Sequence, residues 1–176
     1  MTVNPTPQII VTRRRLRCCL AVIVACTLCF AGSSRALGGE AKGTLNFKGT
    51  TLVLKFAYLV KGPDAVDPNL KIRRLIFSGS DLGPKLKACT KMSCTDSAVT
   101  EGMTVDLNGG PRINYWVVLK GGLVQYSGTV EPSALKTKTD QPAKLAGTLT
   151  IDDAAADGAK VEVEFDAALL KEFTSD

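Results

Sequence analysis

The sequence predicts an all-β protein, an antiparallel sandwich or small meander barrel of about eight strands, with one short helix or loop excursion near residues 81–98. Two observations lead to this fold class. Apolar and polar residues alternate with period two in many runs beyond residue 36, which is the spacing of half-buried strands. Glycine, proline, asparagine and aspartate separate these runs roughly every 8–15 residues, as turns do in antiparallel sheets. Both architectures cover the apolar face of the sheet, and the pattern does not distinguish them.

One predicted hairpin spans residues 112–130 and holds the only tryptophan of the chain. Its two β-rich runs flank Gly121 and Gly122, and glycine accepts the positive φ that tight hairpin turns need. Alternation places Tyr115 and Trp116 on opposite faces of the first strand. We predict that this hairpin forms the centre of the sheet.

The other predicted strands follow the same alternation, most clearly at residues 160–166, where valines and Phe165 face inward and glutamates face outward. Pro84 in a first turn indicates a short helix that starts near residue 82. The polar residues 133–141 are interpreted as a crossing connection. The remaining predicted strands are residues 43–47, 52–59, 70–78, 103–107 and 145–151.

Residues 1–36 are predicted to be a signal peptide, because arginines without any acidic residue flank an apolar run at residues 18–31. Small residues precede the predicted cleavage site after Ala36. The apolar run is shorter than the roughly 20 residues that span a membrane, and an uncleaved anchor is one alternative. Cys26 ends a sequence that resembles a lipobox, so lipidation there is another alternative. Residues 37–176 would then form a single exported β domain, periplasmic or extracellular.

The composition excludes several classes of function. Five leader arginines account for the whole net charge of +5, so residues 37–176 carry 17 basic and 17 acidic residues and present no global basic field for nucleic acid. The chain has no histidine, which excludes Ser-His-Asp and Cys-His nucleophiles and histidine-ligated metals. The glycine motifs that bind nucleotide phosphates do not occur. We therefore predict no cofactor.

Cys89 and Cys94 are the only cysteines after the leader. A lone cysteine pair in an exported protein most often forms a disulfide. Four residues separate the two, whereas catalytic redox pairs have the C-x-x-C spacing. The pair therefore predicts a disulfide that holds the excursion.

Three acidic residues in the carboxyl-terminal part resemble a calcium loop, because Asp153, Asp157 and Glu164 fall at its positions one, five and twelve. Position three lacks an oxygen ligand, and a solvated acidic hairpin tip explains the same residues. A carboxylate-based or calcium-dependent hydrolase that uses residues 152–157 and 162–164 is the enzymatic alternative.

Five basic residues before position 92 form a candidate anion-binding patch. The favoured interpretation is that they pair across strands with the more acidic carboxyl-terminal part. These residues are Arg73, Arg74, Lys85, Lys87 and Lys91.

Trp116, Tyr115 and Tyr126 are the candidate binding residues, because aromatic side chains with a polar atom are enriched at binding surfaces. Trp116 lies on the face opposite Tyr115, and this second face is the candidate surface for ligand contact. The favoured interpretation of the tryptophan itself is that it packs in the core or under the excursion.

One stretch begins with Gly-Pro-Arg-Ile-Asn-Tyr-Trp at residues 110–116 and continues to Pro132, and a second covers residues 145–173. Both stretches resemble small exported bacterial β-rich proteins of uncharacterised function. The resemblance implies an exported β domain and transfers no catalytic residue. The predicted function is a non-enzymatic binding or envelope-associated module whose ligand is a lipid, a glycan or a protein. A hydrolase and a structural interaction partner in a surface assembly are the alternatives.

Overall fold

The computed structural model describes residues 38–119 and 121–175. The predicted signal peptide, its cleavage site after Ala36 and the lipidation candidate Cys26 lie outside these residues. The described chain is built almost entirely of strands, with two short helices in one excursion. These elements are β1 (Gly39–Phe47), β2 (Thr50–Pro63), β3 (Lys71–Ser78), α1 (Gly83–Ala88), α2 (Cys94–Ala98), β4 (Gly102–Leu107), β5 (Ile113–Leu119), β6 (Leu123–Val130), β7 (Leu135–Gln141), β8 (Lys144–Asp152) and β9 (Lys160–Glu172).

All the strands belong to one sheet with the order β6-β5-β4-β3-β2-β1-β9-β8-β7. Each pair of neighbours is antiparallel, and β2 makes an additional parallel pairing with the end of β9. The sheet curls over itself as a half-barrel, so the predicted all-β class with a short helical excursion is confirmed. Among the strands that the structure describes, β6 and β7 each have a single neighbour in the sheet and form its two edges.

Two sequence-based predictions about the order of the sheet were wrong. The hairpin of β5 and β6 lies at one edge, and β2 is the middle strand of the nine described. The aromatic content of this hairpin reflects the burial of Tyr115, not a central position. Residues 133–141 were interpreted as a connection, but most of them form β7. Their polarity is that of an edge strand, where charged side chains discourage pairing with other molecules.

The inner face of the curled sheet forms the larger core. Phe77 on β3 meets Phe165 on β9 edge to face, with ring centroids 5.3 Å apart. The predicted alternation in β9 is confirmed, because its valines and Phe165 are buried while the glutamates between them are exposed. The curl therefore brings the two halves of the sheet together around one continuous apolar interior.

The excursion between β3 and β4 covers part of the outer face and creates a second core. Leu86 of α1 packs there with Tyr58, whose hydroxyl donates to Asp81 Oδ1 at 2.7 Å. The predicted disulfide between Cys89 and Cys94 is present, with a Cα–Cα separation of 5.5 Å. A closed loop of this size stabilises a fold by about 2 kcal/mol in the chain-entropy description.

Candidate functional site

A groove of about 400 Å³ lies on the outer face of β3, β4 and β5, beside the helical excursion. Strand register explains its floor, because Arg74, Asp106 and Asn114 occupy one row across the three strands. Thr104 and Trp116 are paired in the next row. We call this surface the Trp116 groove. Its lining residues are Asp64, Ala65, Val66, Arg74, Asp96, Thr104, Asp106, Asn114, Trp116, Val118 and Val124.

The floor of the Trp116 groove contains a buried ion pair. Arg74 donates from Nε to Asp106 Oδ1 at 2.6 Å and from Nη2 to Asp106 Oδ2 at 2.8 Å. Only 7% of the Arg74 side chain and 6% of the Asp106 side chain are exposed. Such a bidentate pair is rigid, and the two hydrogen bonds offset much of the cost of removing both charges from water. The groove therefore has a fixed polar floor.

Helix α2 connects the groove to the disulfide. Arg74 Nη1 donates to Thr95 Oγ1 at 3.0 Å and to Asp96 Oδ1 at 2.7 Å. The Thr95 hydroxyl in turn donates to the carbonyl of Met92 at 2.7 Å, inside the loop that the disulfide closes. Since Cys94 is the first residue of α2, the disulfide restrains the helix that supplies one wall of the groove.

Exposed apolar side chains mark the rim of the Trp116 groove. Val66 is 93% exposed and Val124 is 57% exposed, and both line the groove. Asp64 holds the turn that carries Val66, because its Oδ1 accepts the backbone N–H of Val66 at 2.7 Å and of Asp67 at 3.0 Å. Leu123, beside Val124, is 68% exposed. The groove therefore combines apolar side chains with a few polar groups, as small-molecule sites commonly do.

The charge of the lining favours some ligands over others. Asp64, Asp96 and Asp106 contribute three carboxylates, whereas Arg74 is the only base among the described residues of the lining. Two of those carboxylates are bonded to Arg74. The remaining excess is negative, so the groove suits neutral or cationic ligands and repels phosphate and sulfate groups.

The structure separates the three aromatic residues that the sequence singled out. Tyr115 is fully buried on the inner face, and its ring centroid lies 6.0 Å from that of Tyr126. Tyr126 also packs against Phe47, at 5.7 Å. Trp116 is half-buried on the outer face, as the alternation predicted, and lines the groove without the tyrosines.

Two buried tyrosines hold loops to the sheet through carboxylates. Tyr115 donates to Asp153 and Tyr58 donates to Asp81. Burial, and then these hydrogen bonds, raise the pKa of both hydroxyls well above the ordinary value of 10.0. The folded protein therefore keeps both protons at a pH at which the unfolded chain releases them.

This proton linkage predicts a loss of stability in alkali. Tyr58 and Tyr115 make their full contribution to the free energy of unfolding below pH 10.0, the ordinary pKa of tyrosine. Above that pH the contribution declines, because the tyrosines ionise in the unfolded chain but not in the folded protein. Urea unfolding followed at a series of alkaline pH values measures the decline. Tyr58→Phe and Tyr115→Phe are each expected to reduce the slope of the unfolding free energy against pH. An unchanged slope in both variants would contradict the linkage.

The acidic residues proposed for calcium are not brought together. Asp153 accepts the hydroxyl of Tyr115, and Asp157 lies in a left-handed turn with φ 55°. Glu164 on β9 accepts from Lys138 Nζ at 2.5 Å, and this contact lowers the pKa of Glu164. Within residues 38–119 and 121–175, no three His, Cys, Asp or Glu side chains are grouped to hold a metal ion.

Two of the carboxylates considered for hydrolysis, Asp152 and Glu164, are paired with lysines. Lys160 Nζ donates to Asp152 at 2.8 Å, which lowers the pKa of Asp152 and raises that of Lys160. Glu162 and Glu164 lie on the exposed outer face of β9. The two glutamates share one face of a single strand, so they do not oppose each other as a hydrolytic pair requires.

The candidate anion-binding patch is divided between several environments. Arg73 pairs with Asp140 on β7 and lowers the pKa of that carboxyl through the hydrogen bond. Arg74 lies in the floor of the Trp116 groove. Lys85, Lys87 and Lys91 are exposed on the excursion. Pairing with the carboxyl-terminal part, the favoured interpretation, therefore describes Arg73, whereas the partners of Arg74 are Asp96 and Asp106.

The polar residues that accompany Trp116 in the groove were not predicted from the sequence. Asp106 lies inside an apolar strand, and Arg74 lies in line with Ile72 and Ile76, so each charge interrupts a buried pattern. A buried charge needs a partner of opposite charge, so these two interruptions together indicate that Arg74 and Asp106 pair with each other. Asp96, Thr104 and Asn114 have no comparable signal.

Neither helix that the structure describes has the length or apolar character of a membrane-spanning segment. No family model matches the chain, no curated protein shows significant similarity to it, and no solved structure matches its fold. The geometry of the Trp116 groove is therefore the basis for a functional proposal.

Proposed function

We propose that the protein is an exported, non-enzymatic binding module that takes a neutral saccharide in the Trp116 groove. The observation that carries this proposal is the half-buried Trp116 beside a buried, bidentate Arg74–Asp106 pair in a cavity of about 400 Å³. A cavity of this size is within the usual range for small ligands. Export is supported by the leader sequence and is compatible with the disulfide.

The chemistry of a sugar ring corresponds to the two kinds of surface in the groove. The C–H face of a sugar is apolar and packs on an aromatic ring such as that of Trp116. Its hydroxyl groups donate and accept hydrogen bonds, and the half-buried Asn114 offers both a donor and an acceptor at the floor, beside the buried Thr104. Asn114 and Val118 are four residues apart on β5, so the floor is about 13 Å long and suits a short linear oligosaccharide.

The other ligand classes predicted from the sequence fit the groove less well. Anionic lipid head groups would meet the excess of carboxylates in the lining. A hydrolase would need acids that converge on a bound substrate, whereas Asp152 and Glu164 are paired with lysines and Asp153 accepts the hydroxyl of Tyr115. A neutral glycan is therefore the proposed ligand.

Fluorescence of Trp116 tests this proposal directly, because it is the only tryptophan of the chain. The purified exported protein would be titrated with neutral oligosaccharides of glucose, galactose and N-acetylglucosamine. At least one series is expected to give a saturable change in emission. Vesicles of anionic phospholipid are expected to give none, and saturable binding of vesicles without binding of any neutral oligosaccharide would reject the proposal.

A matched pair of asparagine variants identifies the site. Asn114→Ala removes a donor and an acceptor from the floor and is expected to weaken saccharide binding by about tenfold, the effect of losing a well-made hydrogen bond inside a site. Asn46 is also half-buried but lies on β1, outside the groove. Asn46→Ala is expected to leave the affinity unchanged. Equal effects of the two substitutions would place the ligand elsewhere.

A further inference from the structure

Strand β6 is an edge strand without the usual protection against pairing. Its sequence, Leu-Val-Gln-Tyr-Ser-Gly-Thr-Val, has no charged residue and no proline. The other edge, β7, carries Lys136, Lys138 and Asp140. Natural sheets discourage association at exposed edges with such charges, so the contrast between the two edges is informative.

Half of β6 is geometrically regular. A bulge between Val117 and Val118 leaves Gln125 outside the pairing with β5, and from Tyr126 to Val130 the register continues without a break. Tyr126, Gly128 and Val130 alternate with the exposed Ser127 and Thr129 over this segment. The regular half therefore offers five residues of uninterrupted edge to another strand.

This regular half is complementary to itself. If a second copy pairs antiparallel about Gly128, Tyr126 lies opposite Val130 of the other copy, and Ser127 lies opposite Thr129. An aromatic residue opposite a β-branched residue is a favourable cross-strand pair, and so are two hydroxyl side chains opposite each other. No like charges oppose each other in this register. Both Tyr126 and Val130 are half-buried in the single chain, so pairing would cover apolar surface that is still exposed.

We propose that β6 pairs with β6 of a second copy of this chain, in antiparallel register about Gly128, to form a symmetric dimer with one continuous sheet. Each β6 edge gains hydrogen bonds for its outward backbone groups, and the interface is isologous. Trp116 is paired with Ser127 and Asn114 with Thr129 in the neighbouring strand. The dimer therefore extends the outer surface beside each Trp116 groove across the two copies.

A pair of double variants tests the register of this dimer. In Ser127→Lys/Thr129→Lys, the proposed register places lysine opposite lysine at both positions, and the dimer is expected to dissociate about tenfold more readily. In Ser127→Lys/Thr129→Glu, the same register places opposite charges together, and the affinity is expected to stay within about threefold of that of the unaltered protein. Thr137→Lys on β7 is the control and is expected to have no effect.

Light scattering after size-exclusion chromatography, over a wide range of concentration, measures the association of the purified exported protein. Circular dichroism confirms that each variant is folded. A dimer that the lysine variant weakens and the charge-swapped variant retains supports the proposal. A monomer at every concentration overturns it, as does a dimer that responds equally to both double variants. Saccharide binding by a monomer would leave the proposed function intact while rejecting this interface.

Discussion

Replacing Arg74 by methionine is expected to lower the free energy of unfolding by about 3–5 kcal/mol, the usual cost of removing one partner of a buried ion pair. The substitution keeps most of the apolar stem but leaves the carboxylate of Asp106 buried without the guanidinium. It also removes the hydrogen bonds from Arg74 to Thr95 and Asp96, which hold α2 to the sheet. Urea unfolding at neutral pH, followed by circular dichroism, measures the loss.

The neighbouring arginine provides a matched control. Arg73 lies on the opposite face of β3 and pairs with Asp140, whose side chain is 49% exposed. Exposed pairs contribute up to about 1 kcal/mol, so Arg73→Met is expected to have a small effect. The double variant Arg74→Met/Asp106→Leu removes both buried charges and is expected to recover most of the stability. Equal losses for Arg73→Met and Arg74→Met would contradict the assignment of Arg74 and Asp106 as a buried pair.

Local alternation predicted the fold class because a strand with one buried face shows its period directly in the sequence. β9 is the clearest case, with valines and Phe165 inward and glutamates outward. The order of the strands could not be predicted in the same way. The position of β5 and β6 at an edge depends on the pairing of β1 with β9, between segments more than 100 residues apart. No local pattern records which distant strand becomes the neighbour.

The composition of the Trp116 groove could be predicted only in part, because most of its residues come from distant strands. Trp116 was placed on the correct face because adjacent residues of a strand point to opposite sides. Its partners are on β3, β4 and α2, and register alone brings Arg74, Asp106 and Asn114 into one row. Tyr115 and Tyr126 were grouped with Trp116 because they are close in sequence, but Tyr115 is buried in the inner core and the half-buried Tyr126 packs against that core. Proximity along a strand does not imply a shared surface.

Replacing Trp116 by alanine is expected to weaken binding of the neutral oligosaccharide by about 30-fold or more, the effect of truncating an aromatic residue that anchors a ligand. The ring is half-buried and lies in the groove beside Thr104, so its loss removes the flat apolar surface but leaves the polar floor. Isothermal titration calorimetry measures the affinity, since the substitution removes the fluorescent reporter. Trp116→Phe retains a ring and is expected to cost less.

A variant of the inner core separates binding from folding. Tyr126 packs on Phe47 across the interior, and Tyr126→Ala is expected to lower stability without changing the affinity of the folded protein for the oligosaccharide. Trp116→Ala is expected to show the opposite combination, a large loss of affinity with a smaller loss of stability, because Trp116 faces the groove and not the core. Unchanged affinity in Trp116→Ala would remove the main support for a saccharide site in the groove.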